Sequence, residues 1–189
     1  MKKEVKEQIY SDLYRIVGNK KKTSLYKKMF SSEFRYMYLF RKYNDKIVNS
    51  SNKFVRKLYT AKLRRVSRKY GYEIEPGCKI GEGFRLIHFG GVAINPNAVI
   101  GKNVTVFKGV TIGTQRRGKH KGAPVISDNV WIGSNSTVVG GINIGTDVMI
   151  APNTYVNHDV PPHSICIGSP AKIIYREDAT EGYIDNPLI

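Results

Sequence analysis

Four histidines carry the side chain that titrates nearest neutrality, and their surroundings differ. His88 stands in Leu86-Ile-His-Phe-Gly-Gly-Val-Ala-Ile94. His120 stands in a polar, strongly basic run, Thr114-Gln-Arg-Arg-Gly-Lys-His-Lys-Gly-Ala-Pro-Val125. An imidazole held beside a substrate can take a proton from a hydroxyl and return it to a leaving group, so His88 is a candidate general base. His120 reads equally as a solvated histidine among lysines or as a contact to an acceptor. Arg116, Arg117, Lys119 and Lys121 can clamp phosphate or carboxylate groups or simply face water, and pattern alone does not choose. His158 and His163 have no special spacing and read as structural. Cys78 and Cys166 lack a Cys or His neighbour at ligand spacing, so no metal site is expected and both read as small apolar fillers. No Gly-rich phosphate loop is present, which argues against nucleoside triphosphates and dinucleotides.

These side chains are positioned by a repeat of six residues that begins at Ile74. Aliphatics fall at Ile74, Ile80 and Leu86, then at Ile94, Ile100, Val106 and Ile112, and again at Ile126, Ile132, Val138, Ile144, Ile150 and Val156. Two residues before each of these, from Cys78 and Val92 to Val148 and Thr154, stands a second apolar or small residue. Glycine follows many of the aliphatics and is expected to permit a sharp turn into the next strand. In a short strand, residues i−2 and i share a face, so the pattern predicts coils stacked over a column of inward-facing aliphatics, a parallel β-helix.

The rhythm fails twice. Eight residues separate Leu86 from Ile94 where six are the rule, so the chain must bulge there and His88 is released from the inward column. The second failure, 114–125, is expected to project as a mobile loop.

Residues 1–70 have another texture: they hold 21 Lys+Arg against 5 Asp+Glu, whereas the remainder holds 10 of each, so the net charge of +16 is confined to this part. It contains one glycine, Gly18, and no proline. Helices are predicted over Val5 to Val17, from an N-cap at Thr23 or Ser24 to about Tyr43, and from Ser51 or Asn52 to Lys69. Aromatics recur at spacings of three and four, from Tyr10, Tyr14, Tyr26, Phe30 and Phe34 to Phe54 and Tyr59, giving each helix an apolar and a basic face. That basic face suits solvent, an anionic membrane surface or an acidic substrate better than nucleic acid, for which no recognition motif is present. Three regions follow: a basic α-helical region 1–70, a β-helix 71–175 and a tail 176–189. No stretch approaches the about 18 apolar residues of a membrane span. The charged start lacks the apolar core of a secretory signal, so a cytoplasmic location is expected, with peripheral membrane association open.

Residues 73–175 resemble the hexapeptide-repeat acyltransferases, specifically the serine acetyltransferase branch. The likeness is carried by Glu73-Ile-Glu-Pro-Gly-Cys-Lys-Ile-Gly81, Leu86-Ile-His88, Val110-Thr-Ile-Gly113, Val130-Trp-Ile-Gly133 and Val160-Pro-Pro-His-Ser-Ile-Cys-Ile-Gly-Ser-Pro-Ala-Lys172. It implies a mainly β, left-handed parallel β-helix preceded by a small helical region, a homotrimer with active sites between subunits, and acetyl-CoA as donor. It also implies His88 as catalytic base with Glu73, fifteen residues earlier, as its orienting acid, where the family usually has Asp. The positions matching the donor site are Gly113, Thr114, Ser134 and Pro152, with Lys172 near the nucleotide phosphates.

The acceptor positions depart from that branch. Ile87 replaces the family's Asp before the histidine, so a substrate ammonium loses its partner; the loop histidine aligns to Ala123, with His120 displaced by three; and the helical region is about half the usual length. These departures, with the basic helices, favour transfer to a sugar hydroxyl, small or lipid-linked, in surface polysaccharide assembly. L-Serine is the alternative acceptor, and a non-catalytic trimeric scaffold is the alternative of another class.

Overall fold

The computed structural model describes residues 2–18 and 31–189. Among the described residues, three helices precede the repeat: α1 (Lys3–Val17), α2 (Ser32–Asn49) and α3 (Lys53–Tyr70). Gly18 and Gly71 close α1 and α3 in the left-handed conformation, and Asn52 caps α3 by accepting from the N–H groups of Phe54 and Val55. The second helix runs on to Asn49, past the expected end at Tyr43, because no glycine or proline intervenes; Ser31 caps it through the Phe34 N–H. The expected start at Thr23 or Ser24, with Tyr26 and Phe30, lies outside the described residues.

From Tyr72 the chain coils about five times through three parallel sheets. The first contains β1 (Tyr72–Ile74), β4 (Val92–Ile94), β7 (Thr111–Gly113), β10 (Thr137–Val139) and β13 (Tyr155–Val156). The second contains β2 (Lys79–Ile80), β5 (Val99–Ile100), β8 (Val125–Ile126) and β11 (Asn143–Ile144). The third contains β3 (Arg85–Ile87), β6 (Thr105–Phe107), β9 (Val130–Ile132), β12 (Val148–Ile150), β14 (Ser164–Ile167) and an antiparallel final strand, β15 (Lys172–Tyr175).

The hexad aliphatics sort into three vertical columns. Ile74, Ile94, Ile112, Val138 and Val156 are in register in the first sheet; Ile80, Ile100, Ile126 and Ile144 in the second; Leu86, Val106, Ile132, Ile150 and Cys166 in the third. All are buried, and they form one core with α2 and α3, while Val5, Ile9 and Leu13 of α1 pack with Phe34 in a separate cluster. Burial pushes the thiols of Cys166 and Cys78 up to about 11 and about 12, so both behave as apolar filler.

The glycines after the aliphatics have a different purpose from the expected one. Gly81 and Gly133 do not adopt positive φ; a Cβ there would lie 2.5 Å from the Gly101 carbonyl oxygen and 2.6 Å from the Pro152 nitrogen of the next coil. They are small because coils stack backbone on backbone. The left-handed turn position falls two residues later, on Gly83, Asn103, Asn135 and Asp147, residue types that tolerate it.

The first coil has no coil beneath it, so its backbone groups need partners from elsewhere. The helices supply them. Arg41 donates to the carbonyls of Ile80 and Gly81, the latter at 2.6 Å, and Arg15 donates to Gly83 O at 2.7 Å and to Thr105 Oγ1 at 2.9 Å. In return the Phe84 N–H donates to Asp12, the Gly83 N–H to Ser11, and the Gly77 N–H to Asn44. Asp12 also receives both nitrogens of a buried, two-pronged pair with Arg41 at 3.0 Å. Arg15 and Arg41 therefore do not belong to the solvated basic face; they are buried in the cap. Burial brings the Arg15 guanidinium down to about 10, which leaves it charged at neutral pH.

Replacing Arg41 with Met strands the Asp12 carboxylate and two carbonyls. The expected loss is about 3–5 kcal/mol of folding stability, read as a lower denaturation midpoint, whereas Arg65→Met, on an exposed position of α3, should leave the midpoint nearly unchanged.

Candidate active site

Each coil leaves the third sheet and enters the first through a short turn, and these turns stack into one edge of the prism. From the bottom upward the edge carries His88, then Lys108 and Gly109, then Ser134 and Asn135, then Pro152 and Asn153. Rungs join them: Gly109 N to Gly90 O (3.4 Å), Asn135 N to Lys108 O (3.0 Å) and Asn153 N to Ser134 O (2.9 Å). The turn of the first coil is the irregular one. His88, Gly90 and Gly91 all have positive φ there, and the segment is tied down by Gly91 N to Gly71 O at 2.7 Å and by the Tyr72 hydroxyl donating to the His88 carbonyl at 2.8 Å. A left-handed histidine persists only where its surroundings fix it, and the two extra residues leave its side chain exposed to solvent, off the inner column.

The ring of His88 meets Phe107 edge-on, with centroids 5.7 Å apart. Phe107 packs on Trp131 at 4.8 Å, and Trp131 on Tyr183 at 5.3 Å, so an aromatic row crosses the outer face of the third sheet from the edge to the tail. Phe107 pairs in register with Ile87, whose side chain points outward beside the histidine and adds no charge. Phe107 and Lys108 escaped the reading of the sequence. Their signal is positional, since the register that places Phe107 beside Ile87 puts Lys108 above His88.

Glu73 lies at the centre of β1, opposite Ala93, and faces outward on the first sheet near the same edge. No hydrogen bond or ion pair joins it to His88. Its carboxylate instead borders a cleft of about 750 Å³ between α3 and strands β1 and β4, which Arg64, Ser67 and Arg68 wall on the other side. The spacing of fifteen brings the two positions to one corner of the first coil, next to the turn that holds His88. The histidine that does have a carboxylate partner is His163, whose Nδ1 lies 3.0 Å from Asp147. That carboxylate also accepts from the Ala179 and Thr180 N–H groups and from the Thr180 hydroxyl, so the group anchors the tail.

The basic segment 114–125 is not a free loop. Gln115 and Gly122 exchange backbone hydrogen bonds at 2.9 Å, the Thr114 hydroxyl donates to Gly122 O, and Gly141 N donates to His120 O at 2.8 Å. Gly140 and Gly141, which lack side chains, let this hairpin lie against the next coil; a Cβ on Gly141 would come within 2.7 Å of Lys121 O. The hairpin extends from the opposite edge of the first sheet, where β7 ends. Gly113, Thr114, Arg116, Arg117 and His120 therefore share one edge, while His88, Ser134 and Pro152 share the other. Arg116 and Arg117 are exposed and His120 half-buried. Lys172 is exposed on β15, at the top of the third sheet. A single chain does not bring the two groups together. Among the described residues no cluster of three or more His, Cys, Asp or Glu could hold a metal, and no helix is long and apolar enough to cross a membrane.

Comparison with known proteins agrees with this architecture. Residues 123–158 match the family model for bacterial transferase hexapeptide (six repeats). The hexapeptide repeat of that family model is thus found within the β-helix, over these residues. The chain is 41% identical over 146 residues to serine acetyltransferase 4 of Arabidopsis thaliana, covering 71% of this chain and 41% of that one. It is 36% identical over 140 residues to serine acetyltransferase of Staphylococcus aureus strain Mu50, covering 70% and 66%. The crystal structure of Neisseria gonorrhoeae serine acetyltransferase in complex with serine superposes with a TM-score of 0.76 at 27% identity, over 90% of this chain and 69% of that one. The fold is thus the left-handed β-helix, as the resemblance implies. The chain spans only about two fifths of the plant relative. These relatives correct one expectation: they are serine acetyltransferases, and none of them supports a branch acting on polysaccharide.

The tail that carries Tyr183 gives this region a pH dependence. Burial tends to raise the Asp147 carboxyl, but the hydrogen bonds from Thr180, His163 and Ala179 together hold it below its ordinary value. A depressed carboxyl contributes stability above its unfolded value of about 3.9 and loses it as pH falls through the lower, folded value. The tail should therefore loosen in that acid window. Trp131 is the sole tryptophan, so its fluorescence should change there, and Asp147→Asn should abolish the dependence and leave Trp131 more exposed at neutral pH.

Proposed function

We propose that this protein is an acetyl-CoA-dependent O-acetyltransferase whose acceptor is the hydroxyl of L-serine, working as a homotrimer with each active site between two protomers. The observation that carries the reading is the exposed His88 imidazole, set in a left-handed turn where the repeat breaks, in a chain whose relatives are serine acetyltransferases. Serine moves from alternative to principal acceptor on the strength of those relatives.

His88 takes the serine hydroxyl proton as the oxygen attacks the thioester carbonyl. The tetrahedral intermediate collapses by breaking the C–S bond, and the imidazolium returns the proton to the departing CoA sulfur. Phe107 restrains the ring, and Glu73, at the same corner, is the acid that orients it once substrate and the adjoining protomer complete the site. The edge above His88 fits an extended donor arm. Ser134 and Pro152 stand in successive turns, so the track from His88 to Pro152 rises about 14 Å at the spacing of stacked strands. Lys172, at the top, suits the phosphates. The hairpin edge of a second protomer brings Gly113 and Thr114 to the donor and Arg116, Arg117 and His120 to the acceptor. The division of these residues between opposite edges of one sheet supports a site completed by a second copy.

His88→Ala should lower acetyl transfer to serine by about 10²–10⁴-fold while circular dichroism and subunit mass stay unchanged. Glu73→Gln should lower kcat while the KM for acetyl-CoA is kept. CoA-thiol release would be followed with serine and, for comparison, hexoses and N-acetylhexosamines. Transfer to a sugar but not to serine, or full activity in His88→Ala, would defeat the reading.

A further inference from the structure

Helix α3 carries eight Lys and Arg and no Asp or Glu, and only Leu63 and Tyr70 of it are buried. At its outer end, where α2 turns into α3, three large apolar side chains face solvent: Val48 is 58% exposed, Phe54 82% and Leu58 53%. Phe54 and Leu58, four apart, lie on one helical face. Beside them Lys53, Arg56, Lys57 and Arg64 line an open cleft with Ile47, Thr60 and Ala61, and no carboxylate borders it. Packing does not account for this combination. The buried cations, Arg15 and Arg41, belong to α1 and α2 and are consumed in the cap, whereas those of α3 project outward.

We infer that the outer end of α3 docks on an anionic phospholipid bilayer, with Phe54, Leu58 and Val48 entering the boundary between headgroups and acyl chains and the surrounding lysines and arginines engaging the phosphates. An exposed apolar face ringed by basic residues is the pattern of a helix that lies at a membrane surface. A second copy of this chain is a poor occupant, since it would bring like charge against like charge. Nucleic acid would be drawn by the cations but would leave the three apolar side chains without a purpose. The 18 residues of α3 place the docking end about 27 Å along the helix from Gly71 and the catalytic edge, so contact with a membrane leaves that edge clear. The inference is independent of the acceptor proposed above.

The test is flotation of the full-length protein with vesicles of phosphatidylcholine alone or mixed equally with phosphatidylglycerol. Binding to the mixed vesicles at low salt, its decline with added sodium chloride, and its absence on phosphatidylcholine are expected. Lys53→Gln and Lys57→Gln should each weaken partitioning about fivefold. The double variant Phe54→Asp, Leu58→Asp should weaken it at least about tenfold. Both sets lie on exposed positions, so acetyl transfer in solution and the denaturation midpoint should not move. Three outcomes would overturn the inference: no flotation with mixed vesicles at low salt, displacement by millimolar inorganic phosphate, or oligonucleotide binding that survives the Phe54 and Leu58 changes while vesicle binding is weak.

Discussion

A stack of coils solves its own hydrogen bonding everywhere except at its ends, and the open lower end governs how the rest of this chain is arranged. The donors and acceptors of residues 77–84 would face nothing. Two guanidiniums, a carboxylate, a hydroxyl and an amide from α1 and α2 meet them instead. Because buried polar groups are costly only when unpaired, the charges stabilise the structure as a closed set and would destabilise it singly. The same cap seats Tyr36 against Tyr72, with ring centroids 4.8 Å apart, and Tyr72 in turn holds the His88 carbonyl. The conformation of the candidate catalytic turn is thereby tied to the helices below it.

The upper part of the molecule is fastened by different means. The tail descends along the third sheet from Asp147, lays Tyr183 on Trp131, pairs Asp185 with Arg85, gives the Asp185 carbonyl to Arg15, and reaches Asn103 through Leu188. It covers the sheet face that would otherwise expose Trp131, and it joins the last coils to the helical cap.

Much of this was readable in the residues. The three columns follow from the hexad because a period of six in a three-sided coil returns every aliphatic to the interior, and the break at Leu86–Ile94 marked His88 as the histidine freed from that rule. Other features were hidden for identifiable reasons. Arg15 and Arg41 sit in a segment so basic that each looked like one more solvated charge. The glycines after the aliphatics suggested turns, because a sequence reports that a side chain is missing but not which neighbour would have collided with it. The tail has no periodicity at all. The relation of Glu73 to His88 depends on which face of a shared corner each side chain takes, and a spacing of fifteen fixes only the corner. The acceptor was drawn toward sugars because the departures at Ile87, at Ala123 with His120 displaced, and in the short basic helical region were given more weight than the motifs around them.

The turns of the third-to-first edge are also a graduated rule. Each added coil lengthens the track by one strand spacing, about 4.8 Å, and no fraction of a step is available without breaking the backbone contact enforced at Gly81 and Gly133. For the function proposed above, donor reach is consequently set in whole increments. Insertion or deletion of one coil would shift the distance between the imidazole and the far phosphates of the proposed donor by a fixed amount.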